Sequence, residues 1–189
     1  VDVNERSHPR HDEHHHEHQH TGRDMHLWLN PANAIELQKA LAKKIAEIRP
    51  ELRAKVQQRL REQVTQLQQL RDEIQRRLAP HQHNGFIAHH DAYGHFVAAF
   101  GLRQLAAVNQ SAEQRLSAKT LHELQSHARN ARCLMAEKNG AQERRLANVL
   151  GLPVVVADGL AFNPKLTSFT GFLNEITAAF ESCTSATLD

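Results

Sequence analysis

We predict an α/β fold for this chain of 189 residues, with a parallel four-stranded sheet flanked by helices and preceded by a long linking helix. Three observations predict it. Apolar residues recur every three or four positions from 31 to 79, which is the period of an amphipathic helix. The pattern changes after Pro80 to short apolar runs. Helix-like stretches separate these runs, and strands that alternate with helices typically form parallel sheets covered on both faces.

Composition limits the class of protein. The chain is long enough for one domain with its own core. It has 23 basic and 21 acidic residues, and these are interspersed, so it lacks the basic face that nucleic-acid binding requires. No run approaches the roughly 18 apolar residues of a membrane span. The sequence opens at Val1 within a polar stretch, without an initiator Met or a signal peptide, and we expect a fragment of a longer protein.

Residues 1–23 are polar and lack apolar periodicity, so we predict a flexible loop. Seven of the thirteen residues from His8 to His20 are histidine, with acidic residues among them. Natural tracts of this kind bind zinc, copper or nickel weakly, whereas the alternative is a solvated linker or a relic of an expression tag. The predicted weak metal-collecting residues are His11, His14, His15, His16, His18 and His20.

The linking helices occupy residues 31–80. Asn30 followed by Pro31 is typical of an N-cap with proline at the first helical position. Pro50 lacks a backbone donor and clashes with the preceding helical turn, so it divides the periodic region into helices at 31–48 and 50–79. The second helix would be about 45 Å long at ~1.5 Å per residue.

Residues 81–189 carry the four predicted strands, at 85–89, 104–108, 132–136 and 153–157, with helices at 91–100, 117–129, 141–150 and 168–182. Ligands of such sheets bind at the carboxyl ends of the strands. The polar residues at those ends are His89, His90, Asp91, Asn109, Glu137 and Asp158.

The two cysteines, Cys133 and Cys183, lie 50 residues apart, which excludes a CxxC metal or redox motif. They are either two unrelated buried thiols or one disulfide between the C-terminal helix and the sheet. A disulfide would indicate an oxidising compartment.

Imidazole dominates the potential metal ligands, since the chain has 15 histidines. A metal-binding imidazole needs its second nitrogen held, often by a carboxylate. His90 has Asp91 beside it and Asp158 at a later strand end, and His26 lies in an apolar context. The plain alternative for each is a surface or helix-capping histidine. The histidines that we leave outside the predicted site are His81, His83, His95, His122 and His127.

Two motifs carry a resemblance to a known family. DMHLWLNP at 24–31 precedes two helices, and HDAYGHF at 90–96 precedes strands that end near Glu137 and Asp158. This arrangement resembles the metal-binding solute-binding proteins of bacterial ABC importers, and in particular the periplasmic zinc-binding protein of the high-affinity zinc importer. That protein carries a His/acidic loop before the first motif, and the resemblance covers essentially the whole chain.

The resemblance implies a two-lobed protein whose C-terminal lobe is residues 81–189, with 24–30 as the end of an N-terminal lobe. It implies Zn(II) bound by His26, His90 and Asp158, a Cys133–Cys183 pair, location in the periplasm and delivery to a membrane permease by a monomer without catalysis. Histidine at 90 favours zinc over manganese, since imidazole suits Zn²⁺ better.

The chain departs from the family pattern after two strands, where it reads Asp158-Gly159-Leu160-Ala161 and Glu137-Lys138-Asn139-Gly140 without the usual prolines. Glu137 is expected to support a ligand or the fold. Two other functions stay open. One is a zinc hydrolase with Asp158 or Glu137 as general base to a zinc-bound water. The other is a plain His-rich metal buffer.

Overall fold

The computed structural model describes residues 24–109 and 117–186. The tract at 1–23, with its predicted metal-collecting histidines, lies outside the described residues. A short 3₁₀ turn at Leu27–Leu29 leads into helix α1 (Pro31–Ile48). The side chain of Asn30 accepts a hydrogen bond from the backbone N–H of Ala32, which is the expected N-cap.

Helix α2 (Arg53–Leu78) is preceded by a 3₁₀ turn at Pro50–Leu52, so the predicted break at Pro50 is confirmed and the α-helix begins three residues later than predicted. Only the C-terminal half of α2 contributes buried core residues. These are Leu67, Leu70, Ile74 and Leu78.

The predicted parallel four-stranded sheet is confirmed. Its strands are β1 (Gly85–His90), β2 (Arg103–Asn109), β3 (Ala131–Ala136) and β4 (Val154–Val156), in the order β2-β1-β3-β4, and every pairing is parallel. The strand β4 is shorter than the predicted range of 153–157, and His90 is the last residue of β1.

The remaining helices are α3 (Gly94–Phe100), α4 (Ala118–Ala128), α5 (Ala141–Leu150) and α6 (Phe169–Ser185). The prediction that α3 begins at 91 is wrong. Residues 91–93 form a turn in which the backbone N–H of Ala92 donates to the His90 carbonyl, so the helix begins only at Gly94.

Helices cover both faces of the sheet. Successive side chains of a strand point to opposite faces, so β1 contributes to a core on each side. Phe86 and Ala88 on β1 belong to a core shared with α2, α3 and α6. Ile87 between them belongs to a second core, shared with α4 and α5. The predicted sheet with a helical layer on each face is therefore confirmed.

Cys133 on β3 and Cys183 on α6 are both fully buried and form a disulfide, with their Cα atoms 5.3 Å apart. Of the two alternatives, the bridge between the C-terminal helix and the sheet is therefore the one found. Closing a loop of 50 residues lowers the entropy of the unfolded chain and stabilises the fold by roughly 4 kcal/mol in the chain-entropy model.

The strand order creates a crevice between the carboxyl ends of β1 and β3. From β1 the chain continues through α3 on one face of the sheet, and from β3 it continues through α5 on the other. Such a switch point is where open parallel sheets bind ligands. His90 ends β1, and Glu137 directly follows β3.

Candidate metal centre

Two histidines that are distant in sequence meet above this crevice. The ring centroids of His26 and His90 lie 5.5 Å apart, with their planes at 78°. Both side chains are largely buried, with exposed fractions of 17% and 20%. His26 reaches this position from the segment before α1, and His90 from the end of β1.

The His26 ring is held by Asp24. The Nδ1 atom of His26 lies 2.8 Å from Oδ1 of Asp24, and the same oxygen accepts the backbone N–H of His26 at 2.9 Å. A carboxylate accepts here, so Nδ1 carries the proton and Nε2 is the nitrogen left with a lone pair. This is the arrangement that metal-binding histidines commonly show.

The His90 ring is held by Glu137. Its Nδ1 lies 3.2 Å from Oε1 of Glu137, which again leaves Nε2 as the ring nitrogen for a ligand. The sequence offered Asp91 and Asp158 as carboxylates for this role. In the structure the Asp91 carboxylate accepts from the Gln104 side chain instead, and the supporting role expected of Glu137 is the one that its contact fits.

Asp158 lies just beyond β4, and both its oxygens face the loop that follows. Oδ1 accepts from the backbone N–H of Leu160 at 3.1 Å, and Oδ2 from that of Asn163 at 3.2 Å. The phenol of Tyr93 donates to the Ala157 carbonyl at 2.6 Å and fixes the backbone beside it. Burial raises the pKa of Tyr93, so the phenol keeps its proton.

Within the part of the chain that the structure describes, no three His, Cys, Asp or Glu side chains converge closely enough to hold a metal ion by themselves. His26 and His90 are thus a pair, and the structure does not gather Asp158 with them into one cluster. His89, the other histidine at this strand end, faces a cavity of about 270 Å³ beside α4 and α5. Burial lowers its pKa, so this imidazole favours the neutral form.

Two residues near the pair were not predicted. His95 on α3, which the sequence argument left outside the site, contacts Asp24, the partner of His26. Trp28 donates its indole N–H to the Gly159 carbonyl, 131 residues along the chain. The sequence places Trp28 in the first motif and His95 in the second, but it does not indicate which distant group either residue contacts.

A family model described as "Zinc-uptake complex component A periplasmic", ZnuA, matches residues 1–183. The chain belongs to this family. No helix within 24–109 and 117–186 is both long enough and apolar enough to cross a membrane.

The high-affinity zinc uptake system protein ZnuA of Yersinia pestis is 33% identical over 123 residues, which cover 64% of this chain and 39% of that protein. The ZnuA protein of Haemophilus ducreyi is 28% identical over 167 residues, which cover 85% of this chain and 54% of that protein. The chain therefore spans about half the length of these curated relatives or less.

A crystal structure of a ZnuA deletion mutant with zinc bound has the same fold. It superposes with a TM-score of 0.74 at 22% identity, covering 89% of this chain and 64% of the other. At this identity the likeness establishes the fold, and it agrees with the architecture described above.

Proposed function

We propose that this chain binds Zn(II) in the periplasm and delivers it to an ABC-type membrane permease, as a solute-binding protein without catalytic activity. The observation that supports it most is the His26–His90 pair, in which each ring has its Nδ1 held by a carboxylate and its Nε2 left for a metal. Membership of the ZnuA family agrees with it.

The spacing of the two rings fits one zinc ion. Two imidazoles bound through Zn–N bonds of about 2.0–2.1 Å at a tetrahedral centre have centroids ~5 Å apart, given the distance from Nε2 to the ring centre. The observed 5.5 Å is close to this value. Imidazole and carboxylate are also ligands that Zn²⁺ accepts readily.

Further ligands are needed to complete four-coordination. We propose Asp158 as a third ligand or as a border of the site, although its two oxygens already hold the backbone of the following loop. A carboxylate oxygen has a second lone pair, so these hydrogen bonds leave room for a metal. A water molecule can occupy a coordination position that stays open.

The Cys133–Cys183 disulfide supports the proposed location in the periplasm, because structural disulfides persist in oxidising compartments. Zinc would leave the site when the permease separates the ligands. Protonation of the imidazoles would also weaken zinc binding, because the metal and the proton compete for Nε2.

The test is a zinc titration of the purified chain against a chromophoric chelator. We expect one zinc ion that depends on both rings, so that His26→Ala and His90→Ala each lose it. His122→Ala, at an exposed histidine of α4, is the matched control and should bind as the wild type does. Tight binding that persists in the His26→Ala, His90→Ala double variant would place the metal elsewhere and refute the proposal.

Delivery is tested with the permease of the same importer in liposomes. The zinc-loaded chain should support zinc uptake, whereas the His90→Ala chain should not. Hydrolytic turnover of ester or amide substrates by the zinc-loaded chain would instead support the hydrolase alternative.

A further inference from the structure

The segment that carries His26 is attached to the α/β lobe at two points outside the imidazole pair. His26 belongs to residues 24–28, which precede α1 in the chain. One attachment is at Asp24, through α3, and the other is at Trp28, through the loop that follows β4. Both join parts of the chain that are distant in sequence.

The first attachment is made by His95. Its Nε2 lies 3.1 Å from the backbone carbonyl of Asp24 and 3.7 Å from the carboxylate Oδ2. The carbonyl can only accept, so Nε2 of His95 carries the proton and donates. Gly94 permits this approach, because a Cβ atom there would meet Asp24 Oδ2 at 2.9 Å. His95 thereby fixes the residue that holds His26 Nδ1.

The second attachment is made by Trp28. Its indole N–H donates to the carbonyl of Gly159, which is buried, at 2.8 Å. The indole also contacts the His26 ring edge to face, with centroids 5.4 Å apart. One side chain therefore joins the His26 imidazole to the loop whose backbone Asp158 organises.

We propose that His95 and Trp28 are positioning residues that fasten the His26 segment to the α/β lobe, so that His26 and His90 form a two-imidazole half-site before any further ligand arrives. This inference rests on the proposed function, since it assigns the residues that position one ligand of the same site.

The first test needs no metal. The chain has one tryptophan, so its ¹H–¹⁵N spectrum contains a single indole signal, which Trp28→Phe identifies by its loss. We expect that the indole proton of the zinc-free chain exchanges with solvent more slowly than that of a free indole, because it is hydrogen-bonded to the Gly159 carbonyl. Exchange at the rate of a free indole would overturn the attachment through Trp28.

The second test measures zinc affinity by chelator competition in the full chain. The His26→Ala, His90→Ala double variant provides the background that is subtracted. We expect Trp28→Phe and His95→Phe each to weaken the His26-dependent binding about 10-fold, the typical effect of removing a residue that supports a metal ligand. His95→Gln keeps an N–H donor and should recover most of the affinity, and His122→Phe on exposed α4 should change nothing.

The outcomes separate this inference from the function on which it rests. If the wild type lacks zinc binding that depends on His26 and His90, the proposed function fails, and the indole exchange still decides whether the segment is attached. If the wild type binds through both histidines while Trp28→Phe and His95→Phe bind equally well, the fastening inference is wrong and the function stands. Loss of affinity in His95→Gln equal to that in His95→Phe would also contradict the role given to His95.

Discussion

At the scale of single residues, the site depends on side chains that hold other side chains. Asp24 and Glu137 each occupy the Nδ1 atom of a histidine, which leaves both Nε2 atoms for a ligand. Tyr93 has a related role for the backbone. Its hydroxyl reaches from the turn after β1 to the carbonyl of Ala157, immediately before Asp158.

Replacement of Tyr93 by Phe tests this link. The variant removes a buried donor and leaves the Ala157 carbonyl without it, so we expect the free energy of unfolding to fall by about 1–2 kcal/mol. Urea denaturation gives this value. Thr177→Val is the control for the loss of a buried hydroxyl, because the hydrogen bond of that hydroxyl to the Leu173 carbonyl lies within α6. Amide shifts at Ala157 and Asp158 should change in the Tyr93 variant alone, and unchanged shifts there would contradict the assigned role.

The sequence predicts part of this site and misses part. His26 and His90 were predicted as metal ligands from the resemblance that two motifs carry, and the structure brings their rings together. His95 and Trp28 were missed because their contacts span 71 and 131 residues of sequence and join side chains to backbone carbonyls. Periodicity identifies the face on which a residue lies, but it carries no information about which distant carbonyl that residue meets.

At the scale of elements, periodicity predicted most of the fold because strands and helices bury apolar residues at fixed intervals. The limits of α1 and α5 were predicted as they occur. One error falls where a local polar contact decides the boundary, at the turn of 91–93 before α3. The packing of α2 against α6 was also beyond the sequence, because the two helices share a core built from distant parts of the chain and are joined by an ion pair between residues 104 apart.

That pair joins Arg77 on α2 to Glu181 on α6 through two hydrogen bonds, Nε to Oε1 at 2.9 Å and Nη2 to Oε2 at 2.8 Å. The guanidinium of Arg77 lowers the pKa of Glu181 below its usual value. The pair therefore contributes fully above the pKa of glutamate in the unfolded chain, and the contribution is lost as the pH falls through the lowered pKa of the folded state.

We expect Glu181→Gln to reduce the free energy of unfolding by about 0.5–1 kcal/mol at neutral pH. The difference from the wild type should shrink as the pH falls below the usual pKa of glutamate, about 4.3. Urea denaturation across this pH range measures both effects. Glu62→Gln removes a more exposed partner of Arg59 within α2 and should have a smaller effect. An equal effect at every pH would show that charge is not the cause.

At the scale of the whole molecule, the strand order decides where the site can be. The sheet order β2-β1-β3-β4 separates α3 from α5 and opens the crevice at which His90 and Glu137 meet. The sequence could place these residues at strand ends, but the order of strands comes from long-range pairing. A site at this crevice exists only in the folded chain, whereas histidines collected along a tract bind metal by composition alone.

This distinction has a thermodynamic consequence. A ligand stabilises a protein only by the difference between its affinities for the folded and the unfolded chain. Zinc at His26 and His90 needs the fold, since the two residues lie on different elements and meet only through it. Zinc that binds equally well to the folded and unfolded chain leaves the midpoint of unfolding unchanged.

We therefore expect zinc to raise the thermal midpoint of the wild-type chain. At a free concentration about 100 times the dissociation constant, the stabilisation is about 2.7 kcal/mol, or ~5–10 °C for a chain of this size. Calorimetry with and without zinc measures it. The His26→Ala, His90→Ala double variant should show no shift even where it still binds zinc through the His8–His20 tract, and an undiminished shift in that variant would mean that the fold-dependent site lies at other residues.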